Sequence, residues 1–353
     1  MRTLVISDLH LGIRSGADAL RLPLVRDRLL GALEDVDRLV LLGDVLELMT
    51  RHRSRSMALA EPVLRSIGRT LGSHREVIVV PGNHDAPLVR RWALAQGSEL
   101  TPSTDVPPAA SPVLAQLLGW LAPARTRASY PGVWLGPGVW ATHGHYLDQH
   151  LIPESAVGIR PRGHRVAAST RLLPIDYEQR RGRSRRRRRD STIPRPAGAL
   201  VEAVAGTARS VVPRVPHLLL HSGLAPVTAT LLDTQMRHAS LPAMDGVVRR
   251  LGIETDWVIF GHVHRRGPLG GEHWQAGTGT RYLNTGSWLY EPLLVDRASP
   301  PHGYWPGGAV LLHEGREPQS VGLLDDVDAG RLAVPRAERI TSAGDGGSAA
   351  TGR

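Results

Sequence analysis

Five apolar runs in this chain each end on a short polar motif, and that repeated ending constrains the fold more than any other feature. Thr3-Leu4-Val5-Ile6-Ser7 runs into Asp8-Leu9-His10, Leu39-Val40-Leu41-Leu42 into Gly43-Asp44, and Val77-Ile78-Val79-Val80-Pro81 into Gly82-Asn83-His84-Asp85. Val139-Trp140-Ala141 precedes His143-Gly144-His145, and Trp257-Val258-Ile259-Phe260 precedes Gly261-His262-Val263-His264. Short runs of branched and aromatic residues bounded by such motifs read as buried strands. Open α/β sheets bind ligands in the crevice at the carboxyl ends of their strands, so five such endings would bring their polar side chains to one place. A lone histidine or Asp-x-His is a common accident of sequence. The shared placement of all five motifs is what carries weight.

Between the first three runs lie helical patterns, 17–33 with Leu22, Val25, Leu29, Leu30 and Leu33, and 55–71 with Leu59, Val63, Leu64 and Ile67. Pro23 suits the first position of the first helix. This alternation predicts βαβ units and a mainly parallel sheet. The proline-rich stretch 102–131 reads as an excursion with one short helix, 113–121. A longer insertion, about 151–251, carries helical patterns at 197–211 and 224–248 and is expected to form a basic helical cap on one domain of residues 1–336. The tail 337–353, rich in Gly, Ser and Ala, is expected to be disordered.

Composition narrows the chemistry. The chain has no cysteine, which excludes disulfides, thiolate metal sites and thiol nucleophiles, so any metal must be held by nitrogen and oxygen. It contains two asparagines, Asn83 and Asn284, and no lysine beside 43 arginines, a usage that removes asparagine where nothing demands it. The formal charge of +10 is local: residues 160–189 hold 12 arginines against Asp176 and Glu178, which accounts for the whole excess. No signal-peptide pattern opens the chain, and the longest apolar candidate, 217–232, is broken by His221 and Pro226. The expectation is a cytoplasmic protein without a transmembrane segment, with membrane association left open.

With these motifs in place, the stretch from Leu4 to Ser287 resembles the calcineurin-like metallophosphoesterase superfamily. Within it, Ile6-Ser7-Asp8-Leu9-His10-Leu11-Gly12 with Gly43-Asp44-Val45-Leu46-Glu47 is similar to the UDP-2,3-diacylglucosamine pyrophosphatase branch, which usually carries arginine where this chain has His84. The resemblance implies an α/β fold, a four-layer α-β-β-α sandwich of two mixed sheets with metals at the sheet edge. It implies Asp8, His10 and His264 on one divalent ion, Asn83, His143 and His262 on a second, and Asp44 bridging both.

Such a pair of ions can clamp the attacking and leaving oxygens of an in-line phosphoryl displacement by a metal-bridging hydroxide. Histidine, asparagine and carboxylate ligands suit Mn²⁺, Fe or Zn²⁺ better than Ca²⁺, and manganese is the expected metal. His84 is the candidate outer acid that protonates or polarises the leaving oxygen, with Glu47 either orienting it or acting as a helix N-terminal carboxylate. Asp85 is expected to cap the next helix or to support a ligand histidine, and Asp148 and His150 either to line the pocket or, the preferred reading, to have plain surface roles. Asn284 is expected to hold a turn. His145 competes with His143 for the metal, and the family motif favours His143.

The implied activity is hydrolysis of a phosphodiester, pyrophosphate or phosphomonoester, with a nucleotide-sugar or lipid-linked pyrophosphate preferred. Arginines of the region Arg180–Arg189 would recruit an anionic membrane surface or nucleic acid. A DNA or RNA nuclease is the second reading, although the patch offers few stacking aromatics beyond Tyr177. A non-catalytic scaffold on the same fold is the third, and loss of ligands would be its signature.

Overall fold

The structure, a computed structural model, describes residues 1–151, 171–180, 233, 236–277, 279–295 and 298–332. Its strands are β1 (Arg2–Ile6), β2 (Arg38–Leu41), β3 (Glu76–Val79), β4 (Ser103–Val106), β5 (Arg125–Gly136), β6 (Val139–Thr142), β7 (Trp257–Phe260), β8 (Arg281–Asn284), β9 (Gly308–His313) and β10 (Gln319–Gly322). They are hydrogen-bonded in the order β10-β9-β1-β2-β3-β5-β6-β7-β8, with β4 paired to β5.

The two expected sheets are therefore continuous through one long strand. The first part of β5 pairs in parallel with β3 over Arg125–Ala128, and its last part pairs antiparallel with β6 from Gly132 onward. Around β5 the sheet turns over on itself, and its two halves face one another. Val5, Val40, Ile78 and Val310 of the first half pack with Ala141, Ile259 and Leu283 of the second. On the outer face of the first half, Leu4, Ile6, Leu39, Leu41, Val77 and Val79 meet helices. On the outer face of the second, Trp140, Val258, Phe260 and Tyr282 do the same. Strands buried on both faces must be apolar along their whole length, which is why these runs do not alternate.

The first helical layer contains α1 (Pro23–Leu33), α2 (Arg53–Leu71), α3 (Arg90–Gln96) and α4 (Pro112–Trp120). Pro23 opens α1 as expected, and Val25, Leu29 and Leu33 form its buried stripe. Val63, Leu64, Ile67 and Leu71 do the same for α2, which ends at Gly72. Ser111 caps α4 by accepting a hydrogen bond from the Leu114 amide. In the second layer lie α5 (174–180) and α6 (Leu241–Leu251), whose Ala243, Met244, Val247, Val248 and Leu251 pack on the second half of the sheet. These two helices are the described ends of the insertion. The pattern 197–211, the first part of 224–248, the arginine-rich stretch 181–189 and the tail 337–353 lie outside the described residues.

The stretch 102–131 is not an excursion. It supplies β4 and the first half of β5, and Pro131 falls where β5 exchanges β4 for β6 as its partner. A proline there removes an amide where strand pairing changes, so it does not exclude a strand.

Candidate metal centre

All of Asp8, His10, Asp44, Asn83, His84, His143, His262 and His264 leave the sheet within five residues of the carboxyl ends of β1, β2, β3, β6 and β7. Because these strands are parallel neighbours within each half, their ends project to the same edge. The loops are stitched together by main-chain bonds, Asp8 N to Gly43 O at 3.0 Å, His10 N to Asp44 O at 2.8 Å and Gly261 N to His143 O at 3.1 Å.

Close approach explains the glycines of the motifs. A Cβ on Gly43, whose φ is +88°, would lie 2.3 Å from His143 Nδ1, and one on Gly261 would lie 2.3 Å from Ser7 Oγ. The backbone of the centre is strained as well. Asp8, His10, Asp44, His262 and His264 have φ between +44° and +71°, and they are the non-glycine residues with positive φ among those described. Each such conformation costs on the order of 1–2 kcal/mol, and strain of this kind concentrates at functional sites.

The side chains fall into overlapping groups. Asp8, His10 and His264 form one, Asp44, His143 and His262 another, and His10, Asp44 and His84 join them, with ligand-type atoms inside each group within 4.8 Å of one another. Asp44 lies between the first two: Oδ2 is 3.4 Å from His10 Nε2, and Oδ1 is 3.4 Å from His143 Nε2. His264 Nε2 is 3.1 Å from Asp8 Oδ1, and Asn83 Oδ1 is 3.0 Å from His143 Nε2. Asp8 Oδ1 and Asp44 Oδ2 are buried and accept no hydrogen bond from the described residues. Buried carboxylate oxygens facing imidazole nitrogens are a donor set that fits divalent cations.

Electrostatics follow from that packing. Burial opposes ionisation of Asp8, but His264, His10 and His143 more than offset it and hold the carboxyl well below the usual range. Asp44 behaves alike, its burial outweighed by His143, His84 and His10. Burial works against charge on His143 too, yet Asp44 and Asp8 push its imidazole up to about 9. A proton held this firmly competes with a metal for the same ring nitrogen.

Glu47 orients His84. Its Oε1 lies 2.8 Å from His84 Nδ1 and its Oε2 3.5 Å from His10 Nδ1. Despite burial, these two imidazoles bring the Glu47 carboxyl down to about 2. Glu47 lies six residues before α2, so it is not that helix's N-terminal carboxylate.

Asp85 departs from expectation. Its side chain caps no helix; it accepts from the amides of Val45 and Leu46 at 2.9 and 2.8 Å and so clamps the Asp44 loop to the Asn83 loop. Burial and the neighbouring Asp44 push its carboxyl up to about 7. His145 turns away from the groups above, with Nε2 3.4 Å from Tyr130 Oη and 4.0 Å from Glu178 Oε1. Asn284 holds its turn through Gly286 N at 2.9 Å, and its Nδ2 also donates to Gly261 O at 2.7 Å, fixing the His262 loop.

Two residues, Ser7 and Glu178, escaped the sequence reading, and a third, Asp148, was placed with surface roles preferred although it contacts a candidate ligand. Asp148 Oδ1 lies 2.8 Å from His262 Nε2, and its distance of five residues from His143 is the one available signal. The buried Ser7 hydroxyl donates to Asp8 Oδ2 and lies 2.5 Å from Thr285 Oγ1. Glu178, in α5, accepts from Tyr130 and Tyr146 at 2.5 and 2.9 Å; it lies in the insertion, where no motif marks it.

The family model for the calcineurin-like phosphoesterase matches residues 1–266. No curated protein matches the chain. Among solved structures, a dimetal phosphatase from Danio rerio is 14% identical, covering 92% of this chain and 99% of that one at a TM-score of 0.36. A cold-active protein-tyrosine phosphatase of a psychrophilic Shewanella is 10% identical, covering 90% and 80% at a TM-score of 0.29.

Proposed function

The chain belongs to the calcineurin-like phosphoesterase family and is a metal-dependent phosphoester hydrolase, and we propose that Asp8, His10 and His264 hold one cation, Asn83, His143 and His262 a second, and Asp44 both. The observation that supports this most is the position of Asp44, one carboxylate oxygen toward His10 and the other toward His143. Two bound divalent cations, Mn²⁺ in our reading, supply Lewis-acid polarisation of the phosphoryl group and an activated water.

The chain's own residues do the rest. The ionised Glu47 carboxylate accepts from His84 Nδ1, which fixes the tautomer and leaves Nε2 as the atom that exchanges a proton with the leaving oxygen. The Asp85 clamp and the Asn284 bond hold the loops that carry these groups. Asp148 fixes the ring of His262.

We assign a pyrophosphate, nucleotide-sugar or lipid-linked, as the preferred substrate. The similarity of the Asp8 and Asp44 motifs to the pyrophosphatase branch supports it. Arg180, exposed at the end of α5, begins the arginine-rich stretch that we propose contacts an anionic membrane surface. No helix among the described residues is long and apolar enough to cross a membrane.

Hydrolysis of bis-p-nitrophenyl phosphate and p-nitrophenyl phosphate by metal-stripped protein, with Mn²⁺ added back, tests the reading. Mn²⁺-dependent turnover that disappears in Asp44→Ala is expected. Absence of turnover toward these esters and toward ADP-ribose, with metal bound, would contradict it.

A further inference from the structure

The three loops that carry Asp8, Asp44 and Asn83 share a charge pattern that the ligand set does not use. Across residues 7–18, 42–56 and 80–91, every carboxylate is buried: Asp8, Asp18, Asp44, Glu47 and Asp85. Every exposed charged side chain in the same loops, and at the next position, is an arginine: Arg14, Arg51, Arg53, Arg55 and Arg91. The second half of the site differs. In its loops Arg265 and Arg266 are buried and paired with Glu272 and Asp325, and the exposed charge is Asp148.

Three of the arginines are tied to the centre, Arg53 by a contact and Arg14 and Arg51 by the short chain that links them to it. Arg53 Nε donates to Leu48 O at 3.0 Å, which places its guanidinium beside the residue that follows Glu47. Arg14 and Arg51 each follow a site residue, His10 and Glu47, by four positions, a reach of at most about 14 Å even for extended chain. The loops bearing Arg14 and Arg53 touch, because Ser56 Oγ donates to Gly12 O at 3.1 Å. Arg14, Arg51, Arg53 and Arg91 make no ion pair with the described residues.

Their cost is visible in α2. The first turn of this 19-residue helix holds Arg53 and Arg55, has no acidic residue and has no side-chain cap. Cations at the positive end of a helix dipole are unfavourable, and natural sequences break such local rules where function compensates. An anion seated among these guanidinium groups would relieve the repulsion and gain charge-assisted hydrogen bonds.

We propose that this arginine rim is an anion subsite that holds a second phosphoryl group of the substrate, beside the one being hydrolysed. The proposal rests on the phosphoesterase reading above. It makes the substrate class a diphosphate and assigns its recognition to the His84 side of the site.

The experiment compares methylenediphosphonate, a non-hydrolysable pair of phosphonyl groups, with inorganic phosphate as inhibitors of bis-p-nitrophenyl phosphate hydrolysis in excess Mn²⁺. Wild type is set against the triple variant Arg51→Gln/Arg53→Gln/Arg91→Gln. Metal affinity of each anion cancels between the two proteins. The preference for the diphosphonate, as a ratio of inhibition constants, is expected to fall at least about tenfold in the variant and to recover largely with lysine at the same positions.

Arg65→Gln, on α2 and paired with Glu61 at 2.7 Å, serves as the control that leaves the ratio in place. Turnover of ADP-ribose or of geranyl diphosphate, whichever is accepted, should drop by a similar factor of about ten, and the accepted one tells a nucleotide from a lipid source. A ratio that stays within about twofold overturns the rim. If no ester is hydrolysed the function reading fails, and calorimetric binding of the same two anions to both proteins still judges the rim: equal preference for the diphosphonate overturns it.

Discussion

The two halves of the sheet contribute to the centre in different ways. The β1–β3 half supplies Asp8, His10 and Asp44 from left-handed backbone, locked by main-chain bonds and backed by Asp85 and Glu47. The β6–β7 half supplies His143, His262 and His264, two of them also left-handed, and its support comes from Asp148, Asn284 and the Tyr130–Tyr146–Glu178 cluster at the foot of the insertion. The first half carries His84 and Glu47, which we propose as the proton-transfer pair, whereas the second draws more of its support from side chains of distant chain.

The sharpest way to break this comparison is at the shared residue. Asp44→Ala should lower kcat/KM by at least about 10³-fold, about 4 kcal/mol of transition-state stabilisation, because both groups lose a ligand at once. Removing the proton-transfer group comes next. His84→Ala should lower kcat by about 10²-fold or more with metal content retained, measured by steady-state kinetics beside elemental analysis. A combined loss of metal would instead make His84 a ligand.

Support from the second half is worth less. Asp148→Asn should weaken metal affinity by about tenfold, read by chelator competition, while the kcat of the fully loaded enzyme changes little.

Two pH dependences distinguish the halves further. His143 in the metal-free protein holds its proton up to about 9, so metal must displace it; apparent affinity should rise with pH by up to about tenfold per unit until that point and then level. For Glu47 the folded carboxyl lies at about 2 against an ordinary 4.5. Its contribution to stability is present above the ordinary value and is lost as pH falls toward 2. Metal-free wild type should therefore lose at most about 3 kcal/mol through this group on acidification, and Glu47→Gln should lack that component in acid titrations followed by circular dichroism.

Much of the first half was legible in the sequence, because its strands are short, fully buried and each end on a motif. Pro23 also marked the start of α1 correctly. The fold-over strand was not legible: β5 carries Arg125, which donates to His74 O, Arg127, which pairs with Glu76 and Asp105, and Pro131 at its change of partner, so it lacks the apolar run of its neighbours. Positions of the candidate ligands followed from periodicity and strand endings, but their supports did not. Asp148 and Glu178 reach the centre through tertiary contact, and Asp85 was expected on a helix end or beside a ligand histidine because sequence separation hides the amides of Val45 and Leu46, about 40 residues away.

The most direct measurement is the metal content of purified protein reloaded with Mn²⁺, wild type against Asp44→Ala, by elemental analysis per chain. Two ions per wild-type chain and one or none in the variant are predicted, since Asp44 is the side chain that both groups share. A wild-type chain that saturates at one ion, or a variant that still holds two, would contradict the account.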